Sequence, residues 1–292
     1  MMPMTERYSI TPGFLKPRML ARKDISHKRD YGHLLIVAGC RNMPGAAVLA
    51  TGAALKSGCG LVTLHSTERA LQAVVNNYPS AILSEDAGYC FSTIPEDLQK
   101  YTAIAAGPGL GHAPQTVSAF TKLLEGNRQA GLPMVLDADA INILALYREL
   151  LEMVPPRSVF TPHLGELRRL LPHLSDDQFS DASLLEDAVL GLCRRTRSVI
   201  VVKGFHTKVY DADVCLENTS GGPGLAKGGS GDVLTGLIGG LMARGYPALD
   251  AAALGVWLHG HAGDVLSERC TAEAFDSMDL ISSLFNGFKV LL

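Results

Sequence analysis

Residues 225–236 read LAKGGSGDVLTG, a glycine-rich segment that passes directly into a helical pattern. Further glycines precede it, from Gly221 onward. Backbone N–H groups and the dipole at the start of a helix both favour a bound anion. Glycine allows the backbone to approach a ligand closely. The run therefore predicts a backbone site for a phosphate group where a loop enters a helix.

Asp232 ends this glycine run, so an acid stands where a negatively charged ligand is expected. The helix dipole alone favours an acid there by ~0.3–1 kcal/mol, but this would not require so many glycines. A carboxylate that removes a proton from an incoming hydroxyl explains both features. Backbone N–H groups would then take the charge of the transferred phosphoryl group. The run predicts phosphoryl transfer to an alcohol, with Asp232 as the base.

Strand and helix patterns alternate from Gly32 onward. The apolar runs that predict strands are 33–39, 61–66, 102–107, 133–138, 158–162 and 198–204, and the intervening helices are 44–58, 114–125, 140–151, 164–171 and 181–196. Such runs indicate an α/β fold with a parallel sheet covered on both faces. Residues 206–218 predict an antiparallel hairpin at an edge. We expect one domain over residues 1–292, with an irregular N-terminal segment at 1–26.

Composition points to an ordinary globular protein: 292 residues, 47% hydrophobic and 19% charged. The net charge of −3 and the lack of a long basic run argue against a nucleic-acid partner. Six cysteines without a CxxC pair indicate reduced thiols. The N-terminus lacks a signal-peptide order, and no apolar run reaches membrane-spanning length. We therefore expect a cytoplasmic protein with no membrane partner.

Ligands of open α/β sheets bind beyond the carboxyl ends of the strands. GPGLGH at 107–112 misses the dinucleotide fingerprint by one residue, and it fits either a tight strand-to-helix turn or a ligand contact. In LDADAIN at 136–142, we expect Asp139 to cap the following helix. We expect Asp137 and Asn142 to face the cleft.

Two further strand ends carry candidate ligand groups. TPHLGE at 161–166 puts His163 at the ligand end of the sheet, although a lone histidine also serves in packing. VVKGFHT at 201–207 provides Lys203, which either meets a phosphate or lies exposed in a hairpin turn. HGH at 259–261 is not a metal pair, because positions i and i+2 of a helix do not share a face. The chain has no GxxxxGK[ST], which excludes a P-loop NTPase.

The GxGD turn before a helix resembles the ribokinase-like superfamily. A narrower resemblance, to the ADP/ATP-dependent NAD(P)H-hydrate dehydratases, covers about residues 27–285. It rests on six motifs in the family's order: MPGAAVLATGAALKSGCGLV, AAGPGLG, VLDADAIN, TPHLGELRRLL, VVKGFHT and AKGGSGDVLTGLIGGLMARG. The resemblance implies a ribokinase-like three-layer sandwich, with a mostly parallel central sheet, helices on both faces and an antiparallel edge hairpin.

The family implies a repair reaction on hydrated NADH or NADPH, which carries a hydroxyl at C6 of the nicotinamide ring. A nucleotide phosphate activates that hydroxyl on the S epimer, and its elimination restores the reduced cofactor. Bacterial members use ADP and give AMP and phosphate, whereas eukaryotic members prefer ATP. The resemblance also implies Mg²⁺ bridging the phosphates and a homo-tetramer or larger assembly.

The resemblance assigns roles to the matching residues. Asp232 would be the base, and the anion hole would be Gly229, Ser230 and Gly231. The hydrate site would include Ala46, Gly109 and His163. Nucleotide binding would use Lys203, Gly204, Phe205, His206 and Thr207, together with Gly231. Glu166 and Asn142 are the candidates for the outer shell of Mg²⁺.

Two features separate the chain from parts of the superfamily. Many related kinases have a small apolar residue in place of Ser230, so the serine fits the dehydratase branch better. Many bacterial dehydratases carry an N-terminal epimerase domain, and this sequence leaves no room for one. We therefore expect a stand-alone dehydratase or a separated domain, with the epimerase encoded elsewhere.

Two other functions fit part of the pattern. A small-alcohol kinase of the same fold, acting on hydroxyethylthiazole or hydroxymethylpyrimidine, would share Asp232 and the anion hole. The MPGAA and TPHLGE motifs argue against it. A non-catalytic nucleotide-binding module is the second alternative, and it has no need for the acid of GGSGD.

Overall fold

The structure, a computed structural model, describes residues 5–292 and centres on a ten-stranded sheet. The strands in chain order are β1 (Glu6–Ser9), β2 (His33–Val37), β3 (Leu61–Thr67), β4 (Ile82–Asp86), β5 (Ala103–Ala106), β6 (Met134–Leu136), β7 (Val159–Phe160), β8 (Val199–Val202), β9 (Thr207–Asp211) and β10 (Val214–Asn218). Across the sheet they follow the order β1-β10-β9-β8-β7-β6-β5-β2-β3-β4. Strand β9 runs antiparallel to both of its neighbours, and the other neighbouring strands pair in parallel.

Helices follow most of the strands. They are α1 (Pro12–Leu15), α2 (Pro44–Lys56), α3 (Glu68–Asn77), α4 (Pro114–Ala130), α5 (Ala138–Leu146), α6 (Leu164–Leu170), α7 (Asp176–Ser180), α8 (Ala182–Thr196), α9 (Ser230–Ala243), α10 (Ala248–Ala274) and α11 (Ser277–Leu291). Proline at the first position of α2 and α4 favours helix initiation there. None of the helices within residues 5–292 combines the length and apolar character that crossing a bilayer demands.

Two hydrophobic cores lie on opposite faces of the sheet. In β2, Leu34 and Ile36 enter the core that includes residues of α2, α9 and α10, whereas Leu35 and Val37 enter the core that includes residues of α4, α5 and α8. Successive side chains of a strand point to opposite faces, so a strand buried on both faces is continuously apolar. The three-layer α/β sandwich predicted from the sequence is confirmed.

The N-terminal segment corrects one expectation. Residues 1–26 were expected to be irregular, but β1 pairs in parallel with β10, with Tyr8 opposite Leu216. The predicted hairpin of β9 and β10 is present, and β1 lies outside it. All four residues of β1 are exposed, so the segment lacks the apolar pattern that marks a buried strand. Residues 1–4 lie outside the described part of the chain.

Candidate active site

A cleft of about 710 Å³ opens at the carboxyl edge of β6, β7 and β8. Its wall comes from the residues that follow these strands, from the segment between β10 and α9, from the start of α9 and from the middle of α10. Asp137, His163, Lys203 and Asp232 all contribute to it. This is the edge where open α/β sheets bind ligands.

Residues 228–232, for which the sequence predicts phosphate binding, form the turn at the start of α9, and we call this segment the cradle. Gly229 has φ 89°, and a Cβ added there would lie 2.3 Å from Cδ1 of Leu49, so any other residue would be strained. The first N–H groups of a helix have no partner within it. In residues 5–292, the N–H groups of Gly231 and Asp232 have no hydrogen-bond acceptor. Two donors are therefore available for an anion.

Behind the cradle, Asp137 connects three elements. Its Oδ1 lies 2.7 Å from Nζ of Lys203, and its Oδ2 accepts a 2.6 Å hydrogen bond from Oγ1 of Thr235 in α9. The Asp137 side chain is almost fully buried, at 2% exposure. A Cβ added to Gly231 would lie 3.2 Å from Nζ of Lys203. The carboxylate thus holds the lysine ammonium beside the cradle.

Asp232 has an unusually basic carboxylate. Burial and, to a lesser extent, the negative charge of Asp137 raise its pKa, Lys203 opposes both effects, and the net result is a pKa of about 7. A general base works best when its pKa lies near the operating pH. The acid that follows the glycine run can therefore accept a proton near neutral pH.

His259 supports the first residue of α9. The imidazole is buried, which lowers its pKa to about 4 and keeps the ring neutral. Its Nε2 lies 2.9 Å from the carbonyl oxygen of Ser230, so an N–H donates to that oxygen. His261 instead stacks on Trp257, at 4.8 Å between ring centroids. The two rings of HGH serve different contacts, as their spacing predicts.

The predicted nucleotide segment follows β8. Lys203, Gly204, Phe205 and Thr207 line the cleft, and Phe205 is 77% exposed. His206 is not part of the cleft wall: its Nδ1 lies 3.4 Å from Oε1 of Glu217. Its ring stacks on that of Phe205, at 4.6 Å between centroids. The structure thus places four of the five predicted residues of this segment in the cleft wall and His206 outside it.

The predicted hydrate residues fall into two groups. Ala46 and Gly109 lie against each other, because a Cβ added to Gly109 (φ 63°) would be 2.8 Å from Cβ of Ala46. They follow β2 and β5 and are not among the cleft-lining residues. His163 lines the cleft and also caps α6, its Nδ1 accepting the N–H of Gly165 at 3.0 Å. Strand β6 lies between the two groups.

The segment at 136–142 departs from prediction in two ways. Asp137, not Asp139, occupies the N-cap position of α5. The Asp139 carboxylate instead accepts the N–H of Gly111 at 2.7 Å and lies 2.9 Å from Nε2 of His112, because the GPGLGH turn packs against it. Asp137 faces the cleft as predicted, but Asn142 does not line it and accepts a hydrogen bond from Arg169.

Glu166 lines the cleft but already has a structural partner. Its Oε2 accepts the backbone N–H of His163 at 2.9 Å, which completes the cap of α6. Sequence analysis missed Thr235 and His259. Thr235 lies four residues after Gly231, on the same face of α9, which is a usable signal. Its partner Asp137 is 98 residues away, and the sequence does not show that contact.

Comparison with known proteins identifies the family. A family model described as NAD(P)H-hydrate dehydratase matches residues 34–286. The ADP-dependent (S)-NAD(P)H-hydrate dehydratase of Neisseria meningitidis is 36% identical over 252 residues, covering 85% of this chain and 81% of that protein. A bifunctional NAD(P)H-hydrate repair enzyme of Thermosynechococcus vestitus is 35% identical over 95% of this chain. The chain spans about half the length of this and similar bifunctional relatives.

A solved structure shares the fold over nearly the whole chain. It is the ADP/ATP-dependent NAD(P)H-hydrate dehydratase of Bacillus subtilis, co-crystallised with ATP and Mg²⁺. The TM-score is 0.82 at 28% identity, and the match covers 98% of this chain and 99% of that one. The family resemblance predicted from the six motifs is confirmed. The chain belongs to the NAD(P)H-hydrate dehydratase family.

Proposed function

We propose that this chain dehydrates the S epimer of NADH-hydrate or NADPH-hydrate, using ADP or ATP as the co-substrate. The products would be NADH or NADPH, phosphate, and AMP or ADP. Family membership supports this reaction, and one observation carries it: a carboxylate with a pKa of about 7 adjoins a cradle of available N–H groups. Either feature alone fits a binding site, but together they fit phosphoryl transfer to a hydroxyl.

The first step uses the two parts of the site at once. Asp232 takes the proton from the C6 hydroxyl, and the oxygen attacks the terminal phosphorus of the nucleotide, which releases AMP from ADP or ADP from ATP. The N–H groups of Gly231 and Asp232 would accept the charge that develops on the transferred group. Lys203 lies beside Gly231 and would add its positive charge.

The second step restores the reduced nicotinamide. The C6–O bond breaks, phosphate leaves with the bonding electrons, and a proton is lost from C5, so that a C5–C6 double bond forms. Phosphate is a better leaving group than hydroxide, so phosphorylation by the nucleotide makes the elimination easier. In this proposal Lys203, Gly204, Phe205 and Thr207 hold the nucleotide, and Ala46, Gly109 and His163 hold the hydrate.

Mg²⁺ fits this site as an ion carried by the nucleotide. Within residues 5–292, no group of three or more His, Cys, Asp or Glu side chains is arranged to hold a metal. Both oxygens of Asp137 are already engaged, by Lys203 and Thr235. Mg²⁺ is commonly held by one or two carboxylates and substrate phosphates. When bound, it would neutralise phosphate charge, and of the two residues predicted for its outer shell, Glu166 lines the cleft and Asn142 does not.

The test is to incubate the protein with NADH-hydrate or NADPH-hydrate and ADP or ATP. We expect the absorbance of the reduced nicotinamide to return, with one phosphate and one AMP or ADP per molecule restored. The same protein is offered hydroxyethylthiazole and hydroxymethylpyrimidine with each nucleotide. A phosphorylated thiazole or pyrimidine without restored NADH or NADPH would favour the kinase and reject the dehydratase. Binding of nucleotide without turnover of any substrate would favour the non-catalytic module.

The assembly state remains a prediction. We propose a homo-tetramer or larger, as the family resemblance implies. Light scattering after gel filtration measures it directly, and a monomer at micromolar concentration would reject it.

A further inference from the structure

Lys227 immediately precedes the cradle, where a lysine could be a phosphate ligand. Its ammonium is instead engaged elsewhere. Nζ lies 2.9 Å from the carbonyl oxygen of Ala272, 3.1 Å from that of Glu273 and 2.5 Å from that of Phe275. An ammonium group has three N–H donors. The three carbonyls use all of them, so none remains for a phosphate.

The end of α10 is a favourable place for this charge. Carbonyl groups at the end of a helix have no partner within it, so they are open to other donors. The two residues that precede Ala272, Cys270 and Thr271, depart from helical geometry, so the carbonyls of residues 272–275 lie beyond this break in α10. The ammonium also lies 4.4 Å from the centroid of the Phe275 ring, a cation–π distance. The lysine is therefore anchored by several contacts that converge on residues 272–275.

The same connection between α10 and α11 contacts the cradle directly. Oγ of Ser277 donates a 2.9 Å hydrogen bond to the carbonyl oxygen of Gly228. Ser277 also fills the space beside Gly229, since a Cβ added there would lie 3.0 Å from Oγ. On the cradle side, the carbonyl of Lys227 accepts the N–H of Ser230 at 3.3 Å. Lys227 thus contacts the cradle through its backbone carbonyl, and it contacts the α10–α11 connection through its side chain.

We propose that Lys227 is a positioning residue: its side chain ties the cradle to residues 272–277 and so fixes the N–H groups of Gly231 and Asp232 in the cleft. The inference rests on the proposed function, in which those N–H groups receive the transferred phosphoryl group. Glycine residues have no side chains with which to hold a conformation. Donors that are fixed in advance lower the barrier more than donors that must be ordered during the reaction.

The kinetic test compares Lys227→Met and Lys227→Arg with Lys289→Met. Lys289 is a matched control, because its ammonium also lies over an aromatic ring, that of Phe285 at 4.9 Å, but on the exposed side of α11. We expect Lys227→Met to lower kcat by about 10- to 100-fold, since small displacements of catalytic groups have such effects. KM for nucleotide and hydrate should change less than about threefold. Lys227→Arg should keep most of kcat, because guanidinium can also donate to several carbonyls.

The opposite kinetic split overturns the proposal. A KM for the nucleotide that rises about tenfold or more at unchanged kcat in Lys227→Met would make Lys227 a phosphate ligand. An unchanged kcat and KM would leave it no part in the reaction.

A second measurement does not depend on activity. Amide hydrogen exchange of the peptide covering residues 228–234 should be faster in Lys227→Met than in the wild type, and unchanged in Lys289→Met. If the wild type is inactive on every hydrate, the proposed function fails, but hydrogen exchange still tests whether the Lys227 side chain holds the cradle in place. Unchanged exchange in Lys227→Met would reject the positioning role of Lys227 even if the enzyme is active.

Ser277→Ala keeps the test decisive if Lys227→Met does not fold. This change removes one hydrogen bond to the cradle and leaves the lysine in place. We expect faster exchange in the same peptide and a smaller loss of kcat. Where both variants fold, the double variant Lys227→Met/Ser277→Ala is also measured. Its fold-loss of kcat should be smaller than the product of the two separate fold-losses, because the effects of neighbouring residues in one network are not additive. Unaltered exchange and kcat in Ser277→Ala contradict the proposal.

Discussion

Lys203 and Asp137 form an ion pair of 2.7 Å that joins the ends of β8 and β6 directly beneath the start of α9. Thr235 adds a hydrogen bond to the same carboxylate from the first turns of α9. The buried acid is therefore fully partnered, which offsets the cost of its burial. Its remaining effect is electrostatic, because its negative charge faces Asp232.

Asp232→Asn should remove most turnover while leaving nucleotide binding nearly intact. Asparagine keeps the size of the side chain but cannot accept the hydroxyl proton. General bases commonly contribute about 10²- to 10⁴-fold to the rate, and we expect a loss of kcat in that range. Steady-state kinetics and calorimetric titration with ADP measure the two quantities. Turnover close to that of the wild type would exclude Asp232 from the mechanism.

The pH dependence of kcat/KM should follow ionisation of Asp232. Because the base must be deprotonated, activity should rise with pH through a midpoint near its pKa of about 7. Asp137→Asn removes a negative charge that raises this pKa and leaves Lys203, which lowers it. The midpoint should therefore move to lower pH in this variant. Asp187→Asn, an exposed change on α8, is the control and should leave the midpoint in place.

Asp232→Asn should also make the fold more stable at alkaline pH. The pKa of Asp232 is raised from 3.8 to about 7, so the folded state binds the proton more tightly than the unfolded state. Wild-type stability is therefore lost as pH rises from about 4 to 7, by roughly 4 kcal/mol at most. The free energies of unfolding should agree near pH 4 and differ at pH 8. Equal stabilities at both pH values would show that burial costs Asp232 little.

Gly229→Ala should damage the cradle, and Gly228→Ala is its matched control. Gly229 has φ 89° and its Cβ would clash with Leu49 and Ser277, whereas a Cβ on Gly228 would meet nothing within 4 Å. We expect Gly229→Ala to cost about 1–3 kcal/mol of stability and to lower kcat sharply. Gly228→Ala should be mild in both assays, which are denaturant unfolding and steady-state turnover. Similar effects of the two changes would argue against the backbone conformation as the cause.

Thr235→Val should destabilise the protein more than Thr235→Ser. Valine has nearly the shape of threonine but removes the donor that lies 2.6 Å from Asp137, whereas serine retains it. Loss of a hydrogen bond to a buried carboxylate costs about 1–3 kcal/mol. Unfolding in urea at neutral pH compares the two. A stable valine variant would mean that Lys203 alone satisfies the buried carboxylate.

The fold was largely predictable because both faces of the sheet are covered. Strands such as β2 are continuously apolar, and the helices between them carry clear start signals such as Pro44 and Pro114. Strand β1 was not predictable in this way, since it buries no side chain and forms through backbone hydrogen bonds with β10. A strand held mainly by its backbone leaves little pattern in its side chains.

The candidate site was predictable where one short segment forms it. The cradle and Lys203 lie in local motifs, and the structure brings them together. The capping role expected of Asp139 failed because the carboxylate contacts Gly111, a partner from another strand end. The orientation of Lys227 depends on carbonyls 45 to 48 residues away. Contacts of this kind follow from packing, which a single sequence does not reveal.

The order of the strands spreads the predicted ligand-binding residues along one edge of the sheet. The nucleotide segment follows β8, the Ala46 and Gly109 group follows β2 and β5, and Asp137 follows β6 between them. In our proposal the hydrate would therefore extend across the end of β6, from Ala46 and Gly109 to His163 after β7, and meet the nucleotide beside β8. The loop after β8 would then serve the nucleotide alone, so it is the segment in which to change the preference between ADP and ATP without replacing a residue that contacts the nicotinamide.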